Sequence, residues 1–290
     1  MVKGIGVNVD TGRIGGVLSK LERELEFFKK LNVDYVEIPP AGLDVILKGK
    51  ILKNRLDRVK GVLEKWNFKY TVHAPDITNL KNRFNPLHME VMKSTLQFAK
   101  EIRAEVVVYH CGEIDHNLDL AAKDQVRAEI ESLRILGDLA QDYNLVIGVE
   151  NTTQTMEEVL EVVESVDHPN VGITLDIAHL FTITNYYGLD FIKQIELALP
   201  KIVELHVSDN LGEYALTYKE IPETYHFRFV YGLGDIHLPL GMGIIPYEDV
   251  INIFKKNDFE GIVILEINSM DRFIDEYRSS LKILREGFER

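Results

Sequence analysis

Eight short apolar runs alternate along this chain with eight stretches whose large apolar residues recur at helical spacing. The runs lie at 4–9, 35–38, 69–72, 105–109, 145–149, from 171 onward, 202–207 and 262–267. The amphipathic stretches lie at about 18–31, 51–66, 86–102, 120–143, 156–166, 191–199, 247–256 and 272–288, with Leu21, Leu25 and Phe28 as a clear helical stripe in the first. Alternation of this count is the layout of an α/β (β/α)8 TIM barrel. With 290 residues, 46% of them hydrophobic, the chain is long enough for one sizeable core. Low-complexity segments, basic runs and Gly/Ser linkers are absent from the sequence, so a single domain over 1–290 is expected. One connection breaks the rhythm. About 35 residues separate Asp209 from Ile245, a length that suggests a functional loop.

The strand ends carry the chemistry. VGITLDIAHL, from Val171 to Leu180, reads as an apolar strand ending in Asp176, with His179 three residues further on. An unpaired carboxylate at a buried strand end costs several kcal/mol of desolvation, so Asp176 faces a cation, a polar cleft or the N-terminus of a helix that it caps. The pattern recurs: His73 ends the third strand, His110 the fourth and Glu150 the fifth, while His206 and Glu266 lie near the ends of the seventh and eighth. In a barrel these ends converge on the face that holds active sites, where packing alone favours aliphatic side chains. Mixed imidazole and carboxylate donors suit zinc, manganese or another divalent transition ion, whereas magnesium leans on oxygen. Each residue also has a plainer role. His73 can be a satisfied core histidine, Glu37 can bridge across the mouth, and Cys111 reads as a small buried residue. Asn151 is expected to orient the Glu150 carboxylate or to reach substrate.

The formal charge of −13, from 46 acidic against 33 basic residues, provides no basic footprint for nucleic acid or an anionic membrane. Bound divalent cations would offset part of it. The single cysteine excludes an intramolecular disulfide and fits a reducing compartment. The opening MVKGIGVNVD runs straight into a strand without a signal-like apolar stretch, and a soluble, cytoplasmic protein is expected.

Taken together, VHAP at 72–75, HCG at 110–112, ENT at 150–152, LDIAH at 175–179, HVSDN at 206–210 and DIHLPLGMG at 235–243 resemble the xylose isomerase-like TIM barrel superfamily. That superfamily includes sugar isomerases and epimerases, inosose dehydratases and endonuclease IV. The resemblance implies one divalent metal at Glu150, Asp176, His206 and Glu266. It implies up to three zincs if His73, His110, His179, Asp235 and His237 join them, as in endonuclease IV.

Two mechanisms compete. In a sugar isomerase or epimerase the metal holds a carbonyl and its neighbouring hydroxyl and stabilises an enediolate, with Glu150 and Glu266 as base and acid. His179 and His237 would polarise substrate oxygens, and Glu37 would accept sugar hydroxyls. In an endonuclease IV-like phosphodiesterase, zincs would activate hydroxide for attack at an abasic site in DNA. Gripping a duplex needs basic residues along the rim and a wedge. Here HAPDITNL places Asp76 where that branch has an aromatic residue, which favours the sugar reading. The long loop carries Tyr214, Tyr218, Tyr225, Phe227, Phe229 and Tyr231, with only Lys219 and Arg228 as basic company. Those rings suit stacking on a sugar or packing against another copy in a homo-oligomer. A third reading is a barrel that binds metal and a small molecule without turnover, as a sensor; Glu150→Gln and Glu266→Gln distinguish it.

Overall fold

The computed structural model describes residues 2–214, 225–267 and 272–288. Eight strands, β1 (Gly4–Asn8), β2 (Tyr35–Ile38), β3 (Lys69–His73), β4 (Val106–His110), β5 (Val146–Glu150), β6 (Val171–Asp176), β7 (Ile202–Val207) and β8 (Ile262–Leu265), close into one parallel barrel. Each pairs with its neighbour in sequence, and β8 returns to β1 with Val7 opposite Leu265. Parallel neighbours cannot be joined by a tight turn, so helices carry the chain back. These are α1 (Leu18–Leu31), α2 (Lys53–Leu63), α3 (Leu87–Glu101), α4 (Ala122–Tyr143), α5 (Met156–Val166), α6 (Ile177–Tyr187), α7 (Phe191–Ala198), α8 (Tyr225–Tyr231), α9 (Tyr247–Lys256) and α10 (Ile274–Phe288). This is the single TIM-barrel domain that the alternation predicts.

The main core lies between strands and helices. On α1 it takes Leu21, Leu25, Phe28 and Leu31, each worth roughly 1.5–3 kcal/mol of burial. A second, smaller core of Tyr35, Val106, Val108, Ile262 and Ile264 fills the barrel's interior. At the far end of the helices Asn32, Asn144 and Asp167 take the left-handed conformation that stops α1, α4 and α5.

Three local features differ from the sequence reading. The strand from Val171 ends at Asp176 as expected, but a helix not assigned from the sequence, α6, begins at Ile177, so His179 sits on a helix. The helix escapes notice because Ile177, Ala178, Leu180, Phe181 and Ile183 are all buried, leaving no polar face to reveal its period. A small hairpin pairing Ile46–Leu47 with Lys50–Ile51 precedes α2 and shortens it. The long connection contains α8, and the Asp209 carboxylate gathers its return, accepting from the amides of Asn210, Gly241, Gly243 and Ile245 at 2.9–3.2 Å. Tyr214 packs on Tyr186 with centroids 4.6 Å apart, and Phe229 packs on Phe273. Tyr218, Lys219 and the side chains of Tyr225 and His226 lie outside the described residues. Among the described residues no helix is long and apolar enough to cross a membrane.

Candidate metal centre

His206 is the hub of the barrel mouth. Its Nδ1 donates to Glu150 Oε1 at 3.1 Å and lies 3.4 Å from Glu266 Oε2. Its Nε2 lies 3.3 Å from Glu37 Oε2 and 3.7 Å from Glu204 Oε1. Asp176 stands beside this pair on β6, with its strand paired so that Asp176 is opposite His206. Ligand atoms of Glu150, Asp176, His206 and Glu266 all lie within 4.8 Å of one another. Asp176 fills both roles that its position suggests. Its Oδ1 caps α6 by accepting from the His179 amide at 2.6 Å, while its buried Oδ2 has no hydrogen-bond partner.

The remaining donors flank this set on two sides. On one side, His73 Nε2 and His110 Nε2 each lie 3.2 Å from Glu150 Oε2, and their rings meet edge to face. His73 donates Nδ1–H to the Ala74 carbonyl, which turns Nε2 inward. On the other side, His179 Nε2 is 3.3 Å from Asp235 Oδ2, Asp235 Oδ1 is 2.9 Å from His237 Nδ1, and His237 Nε2 donates to Glu266 at 3.3 Å. His179 Nδ1 donates to the Asn151 carbonyl. His237 holds φ +44, a left-handed conformation rare outside glycine that costs roughly 1–3 kcal/mol. The flanking bonds between Asp209 and Leu238, 2.7 and 2.9 Å, pin it there.

Electrostatics follow from burial and crowding. Burial alone would raise the Glu150 carboxyl, but His206 and His110 outweigh it and hold Glu150 well below the ordinary carboxylate range. Glu266 is lowered in the same way, against burial, by His206 and His237. Burial raises Asp176 to about 6, only partly opposed by His179. Burial would lower His73, yet its bond to Glu150 and the charges of Glu37 and Glu150 push it up to about 10. His179, His206 and His237 are raised well above the ordinary range, since nearby carboxylates overcome burial.

Those shifts carry a test of fit. Glu37, Glu150, Asp176, Glu204, Asp235 and Glu266 together face five imidazoles, and His73, His179, His206 and His237 are pushed towards the protonated form because the carboxylates demand positive charge. A divalent cation meets the same demand. Asp176 Oδ2, Asp235 Oδ1, His206 Nε2 and His237 Nδ1 are buried without a hydrogen-bond partner. The last three have charged neighbours within 3.3 Å without a hydrogen bond to them. Among the described residues the donors that come within 4.8 Å of one another include Glu150, Asp176, His206 and Glu266 and, overlapping them, Glu37, His73, His206 and Glu266. The set of nitrogen and oxygen donors fits zinc or manganese.

All nine residues of the implied ligand set line this mouth, as does Glu37, buried and bonded by Thr71. Asn151, expected to orient the Glu150 carboxylate or to reach substrate, is fully buried, and its amide spans to β6, donating to the Asp176 carbonyl and accepting from the Asp176 amide at 2.9 Å each. It ties the ends of β5 and β6 together.

Two participants escape the sequence reading. Glu204 points into the barrel two residues before His206, fully buried, its carboxyl raised to about 7 by burial with His206 in partial opposition. The strand period of two was the available signal, because a residue two positions from an inward His also faces inward. Asn8 is the other, a neutral residue at the end of β1 whose Oδ1 is buried without a partner. Arg13 fixes this edge. Its guanidinium donates to the carbonyls of Ile267 and Asn8 at 2.7 and 3.1 Å and pairs with Glu24, joining the first strand to the last.

Comparison with known proteins agrees with this geometry. The chain is similar to uncharacterized protein MJ1311 of Methanocaldococcus jannaschii, 26% identical over 237 residues that span 78% of this chain and 72% of that one. It is similar to an inosose dehydratase of Halalkalibacterium halodurans, 24% identical over 140 residues, 47% and 44% of the two chains. Among solved structures, a D-tagatose 3-epimerase-like protein superposes with a TM-score of 0.72 at 22% identity, covering 98% of each chain. The IOLI protein with a bound zinc atom gives 0.72 at 19% identity, covering 99% of this chain and 100% of that one. At these identities the likeness is one of fold. The description of the xylose isomerase-like TIM barrel matches residues 25–287. With that match running through nearly the whole closed barrel, the chain belongs to the xylose isomerase-like TIM barrel family.

Proposed function

We propose that this chain is a divalent-metal-dependent isomerase or epimerase of a sugar or sugar phosphate. The observation that carries the reading is that Glu150 and Glu266, from β5 and β8, reach the same nitrogen of His206 beneath a cleft of about 190 Å³. Glu150, Asp176, His206 and Glu266 would hold the ion. When bound, such an ion supplies Lewis acidity, drawing electron density from a carbonyl and its neighbouring hydroxyl.

The chain's own groups do the rest. Glu150 and Glu266 flank the cleft as base and acid, one removing the proton next to the carbonyl and the other returning it. Neighbouring imidazoles favour the ionised form of both against burial, so either can act as the base, while the partner enters the step protonated, having taken its proton from solvent, and delivers it from the opposite face. His179, 13% exposed at its side chain, and His237 meet substrate oxygens at the cleft edge, and Glu37 at the opposite wall accepts hydroxyls. Relatives whose names describe an epimerase-like protein and an inosose dehydratase support chemistry that begins with loss of a proton beside a carbonyl.

A second reading draws on His73 and His110, both against Glu150 Oε2: a zinc phosphodiesterase acting on abasic DNA. The exposed Asp76 carboxylate, 3.4 Å from His73, stands against it, since a phosphate backbone would meet negative charge at the rim.

The test is proton exchange. With manganese or zinc bound, incubation with a panel of ketoses and aldoses in D2O introduces deuterium next to the carbonyl. Glu150→Gln and Glu266→Gln lower that exchange by about 10²–10⁴-fold. Absence of exchange on every sugar, together with nicking of abasic DNA, establishes the phosphodiesterase instead. Ligand binding with neither activity establishes the sensor.

A further inference from the structure

Two cavities open at the barrel mouth, and only the smaller lies over Glu150 and Glu266. The larger, of about 790 Å³, lies on the other side of His179 and Asp235, which line both. The smaller is walled by the ends of β1, β2 and β3 and the residues just after them, including Asn8, Glu37 and His73. The larger is walled by the segments after β4 and β5 and by α6, with Glu113, Thr153, Thr182 and Tyr187 among its lining, and Arg228 of α8 across from them. His179 and Asp235 thus stand where the two cavities adjoin.

Size and chemistry narrow what extends there. The volume is about four times that of the cleft, 790 against 190 Å³, far more than a single sugar held over the glutamates requires. Its lining mixes hydroxyl and amide groups (Thr152, Thr153, Gln154) with the ring of Tyr187 and aliphatic side chains such as Ile114 and Val162, a mixture that suits the polar edge and apolar face of a sugar ring. Three glutamates, Glu113, Glu158 and Glu161, also line it. Lys81 is paired with Glu129 at 3.4 Å and bonded to the Gly112 carbonyl, so its charge is already met. Arg228 and His116 line it as well, but the four carboxylates of Glu113, Glu158, Glu161 and Asp235 leave the balance acidic, which disfavours a phosphate or carboxylate.

Resting on the sugar reading above, we propose that the substrate is an uncharged glycoside or disaccharide. Its reacting ring occupies the cleft and its second unit lies in the groove along Thr153 and Tyr187, with the linkage crossing at His179 and Asp235.

Equilibrium binding to the full-length, manganese-loaded protein tests this. The probes are lactulose, isomaltulose and cellobiose, against fructose, tagatose, glucose and fructose 6-phosphate. At least one disaccharide is expected to bind about tenfold or more tighter than the best monosaccharide. Thr153→Trp and Tyr187→Ala, both at exposed positions, are each expected to reduce that ratio, which is read within one variant and so is insensitive to partial loss of folded protein. A ratio near one, a ratio unchanged in both variants, or tightest binding by fructose 6-phosphate overturns the proposal while leaving the sugar reading intact. Failure of every sugar to bind overturns both.

Discussion

Side chains two residues apart along a strand point the same way, so the barrel interior can be compared level against level. The upper level reads Asn8, Glu37, His73, His110, Glu150, Asp176, His206 and Glu266, polar at every strand. Two residues lower the same strands carry Gly6, Tyr35, Thr71, Val108, Gly148, Thr174, Glu204 and Ile264. Volume governs this lower level. A Cβ on Gly6 would sit 2.6 Å from Ile264 Cδ1, and one on Gly148 would run into the Thr174 hydroxyl. One level closes the barrel as a packed core; the other gathers charge that packing alone would never collect. Glu204 is the exception, a carboxyl placed among the packers, and it sits under the hub histidine.

That contrast can be broken experimentally, and the largest effect belongs to the upper level. His206→Ala removes the residue that Glu37, Glu150 and Glu266 all face, and metal content after dialysis is expected to fall by more than the roughly 100-fold attributed to outer partners of a ligand. Retention of full metal content would mean that the ring is not the site. In the lower level, Ile264→Ala is expected to cost about 2–5 kcal/mol of unfolding free energy in denaturant, with metal stoichiometry unchanged.

Glu204→Gln tests the exception. If Glu204 orients His206 from beneath, metal affinity falls about 10–100-fold while the denaturation midpoint of the chelated protein moves little. A lowered midpoint with unchanged metal affinity would assign Glu204 to packing.

The smallest effect is in pH. His73 is raised to about 10 from 6.5, so its stabilising share is complete below 6.5 and is lost as pH rises towards 10. Glu150 and Glu266 are lowered, so their share is present above 4.5 and is lost as pH falls below it. Chelated protein is therefore expected to be most thermostable between about 4.5 and 6.5. Added zinc or manganese is expected to move that optimum upward, because the ion competes with protons for the imidazoles. A thermal-shift series in EDTA and in metal measures both.

The fold was readable because buried parallel strands are continuous apolar runs and exterior helices are striped, two signals that survive without any partner sequence. The upper level was readable for a related reason. His73, His110, Glu150 and Asp176 each end an apolar run, where an ionisable residue stands out. What escaped did so for physical reasons. The first two turns of α6 are buried nearly all round and show no stripe, so His179 stood beyond the strand with no helix assigned to it. Asp235 and His237 lie in an irregular loop with no period, and only resemblance pointed to them; the left-handed turn at His237 is imposed by its neighbours rather than by its own preference. Asn151 was legible only as an amide beside a glutamate, which fits either orienting the carboxylate or reaching substrate; its crossing to the Asp176 backbone depends on tertiary contact and leaves no mark in the sequence.

The Arg13 clamp has a bearing on synthesis. By bolting the carbonyls of Asn8 and Ile267 together, it makes the seam between the earliest and latest strands the final joint of the molecule. A nascent polypeptide still on the ribosome can assemble most of the imidazoles, yet Glu266 arrives with the closing stave. An unfinished copy thus has an open mouth that lacks one carboxylate, and the proposed ion would meet its whole set of donors only once the cask is sealed.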